Sequence, residues 1–165
     1  MKTLAGLIIA LSLLLGAPAH ARTFELGQPA VASITLPDDW NPKRIRKGAE
    51  ATSPDDEEVY VAVEVWSVAK VEDAVIQTLG WLMSEGVKID PKTEKQQQGK
   101  INDMDIVDLA YSGKDKDGDD TKISVSVVVV NPTTILVLTY WGSESGEKKH
   151  GATLDAILKS IKRAN

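Results

Sequence analysis

The sequence predicts an α+β domain in which an antiparallel sheet of about six to seven strands is packed by two helices. Three observations carry this. Residues 58–66, EVYVAVEVW, alternate valine with other side chains at the strand period of two. Residues 71–86 change to helical spacing, with Val71, Val75, Leu79 and Leu82 in one stripe. Four more strand-like stretches and a closing helical stripe follow, an order that suits one antiparallel sheet rather than alternating βαβ units.

The chain of 165 residues opens MKTLAGLIIALSLLLGAPAHARTF. Lys2 supplies a positive start, residues 4–15 form an apolar run, and Ala19-His20-Ala21 has the small-x-small pattern of a cleavage site. The run falls short of the roughly 20 apolar residues that a spanning helix needs, and Gly16 and Pro18 break it. A signal peptide over residues 1–21, cleaved after Ala21, is therefore expected, leaving one α+β domain over 22–165. The expected location is periplasmic or secreted. No cysteine stands at the cleavage point to take a lipid, and the mature part shows no transmembrane segment.

Residues 24–40 read as two short strands or a hairpin, interrupted by Gly27-Gln28-Pro29 and ended by Pro37. The strand at 58–66 leads into the helix at 71–86, whose stripe Ile76 and Met83 widen and which Gly86 closes as a left-handed cap. Residues 93–100, TEKQQQGK, are polar throughout and suit a sheet edge. Residues 104–112 and 121–130 are two strands flanking a turn. Residues 133–141, TTILVLTYW, are apolar on both faces and belong near the sheet centre. A helix over 147–163 buries Leu154, Ile157, Leu158 and Ile161.

Composition narrows the function. Zero cysteine excludes thiol nucleophiles and thiolate metal sites, and a formal charge of −5 argues against non-specific nucleic-acid binding. Phosphate-cradling glycine motifs are absent, and no cofactor is implied. The stretch GKDKDGDDTK at 113–122 invites a calcium reading. Yet with Gly118 at the sixth position of a calcium loop, Gly113 falls at the first and Ser124 at the closing glutamate's place. Starting the loop at Asp115 fails as well, so Asp117-Gly118 reads as a hairpin turn. His150 is the only histidine beyond the signal; it sits beside the stripe of the last helix and suits the core boundary. A serine–histidine–aspartate hydrolase built on it lacks a Gly-x-Ser-x-Gly elbow.

Asp38-Asp39 and DDEE at 55–58 read as solvated surface. KRIRK at 43–47 either receives an anionic partner or headgroup or pairs with DDEE. Of the tryptophans, Trp81 reads as core, Trp40 as a plug at the sheet edge, and Trp66 as an interface residue.

Three strands show one apolar row and one mixed row. The mixed rows hold Tyr60, Glu64 and Trp66; Asp108 and Ala110; and Ser124 and Ser126. A matched register would set all of them on one sheet face, with the makeup of a partner-binding surface. The alternative is that the C-terminal helix covers that face.

The chain resembles the Mog1/PsbP-like family. The resemblance rests on ITLPDDW (34–40), the strand–helix step VYVAVEVW…VEDAVIQTLGWL (59–82), the central hairpin (104–130) and LDAILKSIK (154–162). It implies an α/β/α sandwich and a non-catalytic role in binding or assembling other proteins. Members of the family differ widely in partner, from a nuclear-transport GTPase to the photosystem II oxygen-evolving complex, and neither partner's site carries over to residues here. The expected function is thus an exported protein-binding or assembly module, not an enzyme, with another envelope protein as partner. The alternative is a carrier of a small apolar ligand in a pocket between sheet and helix.

Overall fold

The computed structural model describes residues 20–55 and 59–164. The expected signal peptide, apart from His20 and Ala21, and three residues of DDEE lie outside the described residues.

A seven-stranded sheet runs in the order β3-β4-β5-β9-β8-β7-β6. Its strands are β3 (Lys43–Ile45), β4 (Gly48–Thr52), β5 (Val59–Ser67), β6 (Lys88–Ile101), β7 (Met104–Lys114), β8 (Asp120–Asn131) and β9 (Thr134–Gly142). Every neighbouring pair is antiparallel. The doubly apolar stretch becomes β9, the central strand, and the polar KQQQGK stretch lies in the edge strand β6. A second sheet joins β1 (Ala21–Leu26), β2 (Ala32–Pro37) and β10 (Lys162–Arg163). Three strands escaped the sequence reading. Strands β3 and β4 are short and rich in charged or small residues, and β10 has two residues, so none shows a period.

Helix α1 (Val71–Ser84) covers one face of the large sheet, where Ala74 and partly buried Val71, Val75 and Leu79 pack on Trp66, Val125, Val127, Ile135 and Val137. Its C-terminus closes as expected: Gly86 has φ +94°, and the amides of Gly86 and Val87 donate to Met83 O and Leu82 O at 3.1 Å each. This double bond pattern satisfies carbonyls that the helix leaves free. Ile76 and Met83, expected in the buried stripe, are 68% and 57% exposed. Small Ala74 and Thr78 occupy the buried line together with Leu82 instead.

Helix α2 (Glu144–Ser160) and the small sheet cover the opposite face. Ser143 caps α2 by accepting from the Gly146 amide at 2.9 Å, so the helix starts earlier than its apolar stripe suggests. It also ends earlier, because Ile161 is extended and leads into β10. Ile157 and Ile161 are buried, Leu154 partly so, and Leu158 is exposed, contrary to its expected place in the stripe. Between these layers Leu26, Leu36, Trp40, Val59, Val63 and Leu136 are almost wholly buried, each contributing about 1.5–3 kcal/mol of transfer free energy.

Candidate functional site

The six mixed-row residues do not share a face. Ser126 pairs with Asp108 and Ser124 with Ala110 across β7–β8, as expected. Across β8–β9, however, Ser124 pairs with Tyr140, whereas across β5–β9 Tyr60 pairs with Trp141. Adjacent residues of β9 point to opposite faces, so Tyr60, Glu64 and Trp66 look toward α1 while Asp108, Ser124 and Ser126 look toward α2. The single surface expected from matched rows is not formed.

Each half lines a cavity of its own. On the α2 side, a space of about 530 Å³ lies between the sheet and α2. Its inner end is set by Ile34, Leu36, Ala49 and Val63, all buried, and its roof by Leu154 and Ile157 of α2. The floor carries Asp108, Ser124, Ser126, Leu138 and Tyr140. Ser126 Oγ donates to Asp108 Oδ1 at 2.6 Å, and Ser124 Oγ donates to the same oxygen. Exposed Lys95 and Lys122 stand at the mouth, with Lys122 ion-paired to Glu147 of α2. The Tyr140 hydroxyl is, among the described residues, the buried side-chain polar atom without a hydrogen-bond partner. Burial, and then the charge of Glu147, push it up to about 12.

On the α1 side a smaller space of about 270 Å³ is lined by Lys47, Glu50, Tyr60, Glu64, Trp66 and Trp81. Tyr60 Oη donates to Glu50 Oε2 at 2.7 Å, and its ring meets those of Trp81 and Trp141 at 5.1 and 6.4 Å. Burial first, and Glu50 second, raise the Tyr60 phenol well above its usual range. Trp66 is 9% exposed beneath α1, donates to Glu64 at 3.3 Å and has the Lys47 ammonium over its ring. It is packed as core rather than displayed. Trp81, expected in the core, is 37% exposed, and Trp40 is buried with its ring edge-on to His150.

Of the other sequence candidates, KRIRK lines the smaller space through Ile45, Arg46 and Lys47, and His150 and the acidic loop between β7 and β8 lie apart from both spaces. The His150 Nε2 lies 2.9 Å from Asp55 Oδ2, which Lys149 also holds at 2.7 Å. These contacts, the Lys149 hydrogen bond foremost, lower the Asp55 carboxyl to about 2. His150 does not line the large cavity, so no imidazole is set to deprotonate Ser124 or Ser126. KRIRK pairs locally: Lys43 with Glu50 at 3.0 Å, and Arg44 with the Glu25 carbonyl at 2.8 Å. The acidic loop joins β7 to β8 as a hairpin, and Asp115 Oδ1 accepts from the Asp117 and Asp119 amides at 2.9 Å each. Tyr140 and Lys95 were not singled out by sequence reasoning. An aromatic in an apolar strand and a lysine in a polar one carry no local signal of a shared space.

No family model matches the chain, and no curated protein matches it by sequence. Solved structures do. Cyanobacterial PsbP (CyanoP) from Synechocystis sp. PCC 6803 aligns with a TM-score of 0.58 and 10% identity, covering 99% of both chains. LpqN of Mycobacterium tuberculosis, described as involved in cell envelope biogenesis, aligns with a TM-score of 0.54 and 12% identity, covering 92% of this chain and 88% of that one. A protein of unknown function from Pseudomonas aeruginosa aligns at 0.50 and 16% identity, over 88% of this chain and 99% of that one. The chain has the Mog1/PsbP-like α+β fold, and at these identities the likeness is one of fold.

Proposed function

We propose that this chain is an exported, non-catalytic binding module of the cell envelope that holds a small, largely apolar molecule between α2 and the seven-stranded sheet. The observation that carries this reading is the α2-side cavity. Its volume of about 530 Å³ and its aliphatic walls with one convergent polar cluster are those of a small-molecule site. The signal-like start and the envelope role printed for LpqN support the location. Among the described residues no helix is long and apolar enough to cross a membrane.

The test fills the space. Ala110 stands on the cavity floor, where Phe would occupy volume without removing a contact. N-phenyl-1-naphthylamine, a neutral apolar probe, should bind the mature protein at one site, and Ala110→Phe should weaken it about tenfold or more with the fold retained by circular dichroism. Absence of probe binding, or equal binding to the filled variant, would remove the reading. The protein-binding alternative keeps one favourable observation, exposed Ile76, Met83 and Trp81 on α1, the last with its ring 5.1 Å from that of Tyr60. If a partner envelope protein docks there, Ile76→Asp should abolish its capture and leave probe binding intact.

A further inference from the structure

At the Asp108 end of the cavity floor the serine hydroxyl hydrogens are already committed, whereas the Tyr140 hydroxyl on the same floor has no partner. Ser124 and Ser126 both direct theirs at Asp108 Oδ1. What the three side chains leave for an occupant is therefore acceptors only: the second carboxylate oxygen and the lone pairs of two serine oxygens. The charge there is also uncompensated. Among the described residues, no ion pair includes Asp108. Lys122, on the same face, is paired with Glu147. Lys95 is exposed at the mouth, where water and salt screen it, while Asp108 is half-buried against aliphatic walls. A charge acts more strongly in the less polar setting, so an occupant that reaches Asp108 meets a negative, acceptor-lined patch of the floor.

We infer that the cavity takes an amphiphile with a primary ammonium head, seated on Asp108, Ser124 and Ser126, its alkyl part lying against Leu138, Leu154 and Ile157. This rests on the small-molecule reading of the cavity. An ammonium offers three N–H donors and no acceptor, matching one carboxylate oxygen and two serine oxygens. A carboxylate or phosphate head brings acceptors to acceptors and a like charge to Asp108. An alcohol supplies a single donor and no charge.

The experiment compares heads on one tail. Decylamine, decan-1-ol and decanoate, each kept below its micellar concentration, displace N-phenyl-1-naphthylamine from the mature protein at neutral pH. The amine should displace at a concentration about tenfold or more below that of decanoate, and below that of the alcohol. In Asp108→Asn its advantage over the alcohol should collapse, while the alcohol itself displaces as before. Decanoate displacing as well as the amine overturns the inference, as does an amine advantage that survives Asp108→Asn. The wild-type ranking decides alone if the variant fails to fold. Equal displacement by all three heads leaves the cavity reading standing and removes the ammonium; displacement by none removes both.

Discussion

Asp55 is clasped by two side chains of α2, Lys149 and His150, and its carboxyl is held near 2, below its ordinary 3.8. A carboxyl depressed in the folded state stabilises it above the unfolded value and loses that contribution as pH falls through the folded one. Unfolding measured by urea from pH 5 to pH 2 should therefore drop more steeply for the natural chain than for Asp55→Asn between about 4 and about 2. Two glycines make opposite predictions at this scale. A Cβ on Gly48 would stand 1.7 Å from the Val63 carbonyl oxygen, a backbone atom that cannot swing away. Gly48→Ala should cost about 3 kcal/mol in urea unfolding. Gly80 lies in α1 with nothing within 4 Å of its would-be Cβ, so Gly80→Ala should stabilise by about 1 kcal/mol through helix propensity.

The β7–β8 hairpin shows how an acidic loop can be structural. Asp115 uses one carboxylate oxygen to accept two amides of its own loop. Asp115→Ala should cost about 1 kcal/mol of stability whether or not calcium is present. Calorimetry should find calcium binding no tighter than about millimolar. That hairpin was legible in the sequence because its signal is local: two alternating runs around Asp117-Gly118, with Gly118 at φ +93°. The pairing of β5 was not. Its partner β9, TILVLTYWG, is apolar on both faces because both faces of the sheet are covered. A strand without a polar row carries no mark of which face is which, so the alternation of β5 could not be phased against that of β8. The same cause split the candidate site, setting Tyr60, Glu64 and Trp66 apart from Asp108, Ser124 and Ser126. Helix α1 misled for a related reason. Its spacing located the helix, but Ala74 and Thr78 are too small to announce the buried line that displaced Ile76 and Met83.

At the scale of the whole molecule, the class followed from periods and order of elements and the layer order from the family resemblance, while the cavity followed from neither. It exists because α2 lies on the small sheet and bridges to the large one, a long-range arrangement without a motif. Export is a statement about the whole chain too. Cleavage after Ala21 would remove one rung, Ala21 with Pro37, and leave Arg22 paired with Leu36 and in reach of Asp38 at 3.4 Å. Intact mass of the protein recovered from its host should begin at Arg22, and an unprocessed soluble form would count against export.

The tail of the chain fastens the two sheets together. The Thr35 amide donates to Ser160 Oγ across 125 residues, Asn102 Nδ2 donates to the carbonyls of Lys159 and Ile161 at 2.8 and 2.7 Å, and Arg163 Nε donates to Val130 O at 2.8 Å. A ribosome makes the residues of α2 and β10 after all of β1 to β9. Strands β1 and β2, among the first to emerge, must wait for nearly the whole chain before α2 arrives to roof the space above β8 and β9. A nascent polypeptide that lacks α2 therefore has no roof over that space. On the reading proposed above, an occupant can be held only after α2 has been made, so loading follows the synthesis of the roof rather than accompanying that of the floor.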